Sequence, residues 1–128
     1  MIDCKELSVG DWVINTEFDK QVIDRVECVE KNRVFLEHAK LYTPINYIEP
    51  IPLTDEILKK NGLPITEFPF CSIYFDEDTN YKLELSENKE GDIYWSISCD
   101  EYQIIRLRYV HELQHALRLC GIEKEIEL

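Results

Sequence analysis

The residues best equipped for chemistry lie at positions 111–115, His-Glu-Leu-Gln-His. On a helix, two histidines at i and i+4 share a face and can grip one zinc ion. The glutamate beside the first would serve as base toward a metal-bound water. A zinc hydrolase therefore needs His111 and His115 as ligands, Glu112 as base, a third ligand and a cleft.

The surrounding residues argue against it. At about 100° per residue, with Val110 at zero, the apolar residues Leu113, Ala116, Leu117 and Cys120 gather between roughly 240° and 340°. His111 and His115 fall near 100° and 140°, flanked by Arg108 and Arg118. The helix is expected to bury its apolar stripe and to hold both imidazoles in water between two cations. For a third ligand the chain offers Glu123, Glu125 and Glu127, which alternate on an expected strand, and His38, far upstream. The histidines are expected to be incidental, with no catalytic residues, metal or cofactor; a small zinc metallopeptidase is the alternative.

A calcium loop is the second near-match. In DEDTNYKLELSE, Asp76, Asp78, Asn80 and Glu87 occupy the oxygen-donor positions of an EF-hand. Tyr81 stands where that loop requires glycine, and the flanks read as strands. An acidic hairpin tip is the expectation. No nucleophile elbow, P-loop or dinucleotide-binding pattern occurs, and four glycines leave little material for phosphate-cradling loops. Trp12, Trp95 and the seven tyrosines are expected in core and edge packing.

Charge narrows the partners. The 128 residues carry a net charge of −12. Residues 1–75 hold eight bases against thirteen acids, and 102–128 balance at four and four. Residues 76–101 hold only Lys82 and Lys89 against nine acids, a local balance of −7. Such a surface repels phosphate backbones and anionic membranes, so neither direct nucleic-acid binding nor membrane binding is expected. It attracts basic protein surfaces. Asp76, Glu77, Asp78, Glu87, Glu90 and Asp92, on two expected hairpins, are the candidate partner-binding residues.

The elements that position these residues follow from pattern. Apolar content of 45% is that of a folded protein, and 128 residues suit a single domain, with possible subunits 1–53 and 54–128. No apolar run reaches the ~18 residues that span a bilayer. The start, MIDCKELSVGD, is too charged for a signal peptide. Five scattered cysteines (4, 28, 71, 99 and 120) without a CxxC pair predict reduced thiols and a cytoplasmic location. A Gly10-Asp11 turn and the β-rich runs WVI, QVIDRVECVE and RVFLEHA precede LYTPINYIEPIP, whose prolines forbid helix. They predict an N-terminal SH3-like β-barrel or bent sheet.

PLTDEILKKNGL spells a short helix. Thr54 is the N-cap, Asp55 and Glu56 meet the positive end of the dipole, Lys59 and Lys60 sit in the last turn, and Gly62 is the left-handed stop. FCSIYF, YKLELS and DIYWSIS form an antiparallel meander to which QIIRLR adds a strand. A helix from about Tyr109 to Leu119 and an edge strand in IEKEIEL complete an α+β fold.

LSVGDWV, IEPIPLTDEILKKNGL and YVHELQHALRLCGIEKEIEL resemble, in order and spacing, short uncharacterised proteins carried by phages and mobile elements of Bacteroidetes. In that group the last helix commonly reads HxLQN. This chain shares His111, Leu113 and Gln114 and departs at Glu112 and His115, which implies a packing role for the helix. The resemblance implies a non-enzymatic phage-type interaction protein. Its profile is similar to anti-CRISPR inhibitors of host defence. The partner implied is a host protein or ribonucleoprotein with a basic surface, such as a CRISPR effector nuclease, whose nucleic acid lies in positively charged channels. A small-ligand-binding accessory protein is the third reading.

Overall fold

The computed structural model describes residues 2–62, 72–74, 81–87, 89–90, 93–99, 102–119 and 124–128. The chain is α+β and divides into two compact units, Met1–Pro52 with Tyr109–His111, and Leu53–Arg108 with Glu112–Leu128.

The first unit is built on β1 (Trp12–Asn15), β2 (Val22–Val29), β3 (Arg33–Leu36), β4 (Tyr42–Pro44) and β5 (Ile48–Glu49). They form one antiparallel sheet in the order β4-β3-β2-β1-β5. Of the two architectures expected here, the bent sheet forms and the closed barrel does not. β4 and β5 remain edges, and Pro44 sits on one of them, where a missing N–H costs no ladder bond. The bend lies in β2, whose pairing slips between Val26 and Cys28 as it passes from β1 to β3.

Alternation sends Val13, Val26, Val34 and Leu36 inward, where they join Ile2, Cys4, Leu7 and Ile48 in the core. Each such side chain contributes about 1.5–3 kcal/mol on burial. Trp12, Ile14, Ile23 and Arg25 are paired across β1 and β2 on the other face. Before β1 the chain turns sharply. Gly10 adopts φ 95, where a Cβ would be strained, and its N–H donates to Val26 O at 2.7 Å.

The second unit opens with α1 (Asp55–Lys60). Thr54 Oγ1 accepts from Ile57 N at 3.3 Å, and Gly62 takes φ 71, as the sequence predicts. Strands β6 (Ser72–Tyr74), β7 (Tyr81–Glu87), β8 (Ile93–Cys99) and β9 (Tyr102–Leu107) follow in sequence order as the expected meander. Four consecutive residues of β8, Trp95 to Ser98, are buried. Both faces of that strand are therefore covered, and small serines fill one of them. Helix α2 (Val110–Leu119) buries Leu113, Ala116 and Leu117 as its wheel predicts. Its expected stop at Gly121 lies outside the described residues.

One expected element does not form. Residues 124–128 are not a strand. Instead Asn61 Oδ1 accepts from Glu127 N at 2.6 Å while its Nδ2 donates to Glu127 O at 2.8 Å. A side-chain amide thus supplies both hydrogen bonds that a neighbouring strand would give, and no ladder is needed to satisfy that backbone.

Candidate functional site

The HELQH segment sits where it was expected, on α2, but not as expected. His111 is buried, only 3% exposed, and His115 is half-buried. The anticipated pair of solvent-facing imidazoles is wrong for His111. A helical wheel gives direction within one helix and assumes water beyond its polar side. Here Tyr109 lies parallel to the His111 ring, with centroids 5.9 Å apart and planes 10° from one another. Glu6, from the 3-10 turn Cys4–Glu6, brings its Oε2 to 4.0 Å from Nε2.

Glu112, the base in the zinc reading, is committed to the backbone. Its Oε1 accepts from Arg108 N at 3.0 Å and its Oε2 lies 3.6 Å from the Arg108 guanidinium. That is how an acidic residue in a first helical turn satisfies an orphan N–H. Among the described residues, no three His, Cys, Asp or Glu side chains gather in a way that would hold a metal ion. Glu125 is exposed, the Glu127 backbone is bound by Asn61, and His38 is exposed beyond β3. Glu123 and Cys120 lie outside the described residues.

Of the acidic candidates, Asp76, Glu77, Asp78 and Asp92 also lie outside them; Glu87 closes β7 and Glu90 is exposed. Strand register nevertheless constrains the group. Tyr81, where β7 begins, stands opposite Cys99, where β8 ends; Glu87 stands opposite Ile93. The chain therefore passes from β6 to β7, and from β8 to β9, at one end of the sheet. It passes from β7 to β8 at the other end, about 20 Å away along a seven-residue strand. The same extension disposes of the calcium loop, because residues 81–87 carry Glu87 along a strand rather than around an ion.

A feature not anticipated from the sequence is a concavity of about 570 Å³ on the first unit, lined by Trp12, Ile23, Asp24, Arg25, Glu37, His38 and Lys40 among others. Asp24 is buried and accepts from the backbone N–H of Arg25 (2.7 Å), His38 (2.8 Å) and Ala39 (3.0 Å), binding the turn after β3 to β2. Arg25 donates from Nε to Gly10 O at 3.0 Å and lies over the Trp12 ring at 5.2 Å. Lys40 holds φ 54. The one available signal was an acid at an inward-facing position of a β-run, VIDRV.

On the same sheet, Arg33 Nε meets Glu30 Oε2 at 2.6 Å and the guanidinium covers the Tyr42 ring at 3.9 Å. The Arg33 hydrogen bond holds the Glu30 carboxyl below its usual range, and Glu30 in turn pushes the Tyr42 hydroxyl up. Both cysteines of this unit are free thiols, and burial raises the pKa of Cys4. Comparison with protein families, curated proteins and solved structures finds no match to this chain.

Proposed function

We propose that this protein acts by binding rather than by catalysis, its four-stranded meander carrying the acidic surface that docks on a basic face of a host protein or ribonucleoprotein. The observation behind the reading is the local balance of −7 within residues 76–101. Side chains of this density and sign raise the encounter rate with a basic partner and repel free nucleic acid. The sharpest version is an anti-CRISPR-like inhibitor in a bacterial cytoplasm that occupies the positively charged channel of an RNA-guided nuclease.

Strand register supports treating the acids as two groups rather than one. In sequence, Asp76, Glu77 and Asp78 fall between β6 and β7, while Glu87, Glu90 and Asp92 fall at the end of β7 or between β7 and β8. A partner groove would engage one group first. The test begins with a partner identified by pull-down from the host and mass spectrometry. Its affinity is then titrated from about 50 to 500 mM salt for two charge reversals, Asp76→Lys/Glu77→Lys/Asp78→Lys and Glu87→Lys/Glu90→Lys/Asp92→Lys. One set is expected to weaken binding at least tenfold and flatten the salt dependence, the other to change it little. Full affinity in both variants would refute electrostatic docking.

A further inference from the structure

We propose that the concavity on the first unit is a binding site for a small anion carrying a flat aromatic ring, of the mononucleotide class. The proposal is independent of the acidic docking surface and can fail or stand without it.

Size is the first argument. About 570 Å³ falls within the range of small-ligand sites, roughly 300–1,000 Å³. The wall is the second. Ile23 is 51% exposed beside the Trp12 indole, an apolar and aromatic surface left in a concave place. That is where a planar ring gains most by burying a face.

Charge is the third argument, and it runs against the character of the whole chain. Arg25 and Lys40 both line the concavity of a protein with a net charge of −12. Two acids line it as well: Asp24 is buried with its carboxylate occupied by three backbone N–H groups, which leaves the exposed Glu37 as the one solvent-open carboxylate against two cations. Arg25 is held in place by its Gly10 hydrogen bond and by the Trp12 ring. A guanidinium fixed beside an indole offers an anion and a ring their partners side by side.

Lys40 supplies the fourth. At φ 54 it occupies left-handed space that glycine or asparagine fills at less cost. A long cationic side chain kept there, on the rim of this concavity, fits a role for its charge that offsets backbone strain.

The test uses the full chain and adenosine 5′-monophosphate as probe, followed by the Trp12 indole N–H and the His38 and Lys40 amides in NMR titrations at about 50 mM salt. Saturable shifts confined to those groups are expected. Adenosine and ribose 5-phosphate, which each lack one half of the probe, should bind about tenfold more weakly or less well still. Lys40→Gly should weaken the probe by a similar factor while leaving the thermal midpoint unchanged or higher, because glycine adopts φ 54 without strain. Absence of saturation up to about 10 mM probe overturns the proposal, on the scale where millimolar binding is already marginal. Equal binding of ribose 5-phosphate, which would make the site a non-specific anion trap, also overturns it, as does unchanged affinity in Lys40→Gly.

Discussion

The two units use acidic and amide side chains in opposite ways. In the first, Asp11 and Asp24 are buried and spent on structure. Asp11 Oδ2 takes the Ser8 N–H at 2.8 Å, and Asp24 takes three backbone N–H groups. In the second, the comparable tie is made by a neutral amide, Asn61, which joins α1 to Glu127. The acids of residues 76–101 instead belong mostly to the segments between strands. A single net charge therefore conceals two roles. Carboxylates with three backbone donors are internal braces, and only those outside such cages contribute fully to a surface field.

That contrast can be broken experimentally, beginning with the brace expected to matter most. Asp24→Ala strips the acceptor from the His38 and Ala39 N–H groups and should destabilise the protein by about 3 kcal/mol, read from denaturant midpoints. Asp24→Asn, which keeps one acceptor oxygen, should lose clearly less. A loss below about 0.5 kcal/mol in Asp24→Ala would mean that the turn after β3 holds itself. Asn61→Ala should cost about 2 kcal/mol and speed amide exchange at Ile126 and Glu127, leaving the Asp24-bound amides unaffected.

Glu112 separates a capping role from a catalytic one. As a cap, Glu112→Gln should cost about 1 kcal/mol or less, and protein purified without chelator should contain no stoichiometric zinc. One equivalent of zinc, with hydrolysis lost in that variant, would restore the metallopeptidase. The smallest effect belongs to the exposed Glu30–Arg33 pair, where solvent screens the charges. Because the Glu30 carboxyl is depressed, its contribution is present above the ordinary glutamate range and lost as pH falls through the lowered value. Glu30→Gln should thus shift the thermal midpoint slightly at neutral pH and not at all in strong acid.

Local signals were the legible ones. Thr54, Asp55, Glu56 and Gly62 mark α1 because capping and left-handed stops act within a few residues. Alternation located the strands of both sheets, and helical period identified Leu113, Ala116 and Leu117 as buried. The tail was misread because Glu125, Ile126 and Glu127 alternate like a strand, and nothing nearby reveals that Asn61 will satisfy the backbone there. The barrel alternative failed because β4 and β5 remain the edges of an open sheet, and a pattern of apolar residues does not encode which strands pair.

Composition and order by themselves determined an α+β chain, its charge asymmetry, the extent of α1 and the buried stripe of α2. Only tertiary structure decided that His111 would lie under Tyr109 and beside Glu6, that Glu112 would cap rather than stand free, and that Trp12, Arg25, His38 and Lys40 would line one concavity. The reason is range. Caps and periodicities are settled by neighbours a few residues away, whereas burial of a polar group and convergence of charges depend on segments that meet only when the chain folds.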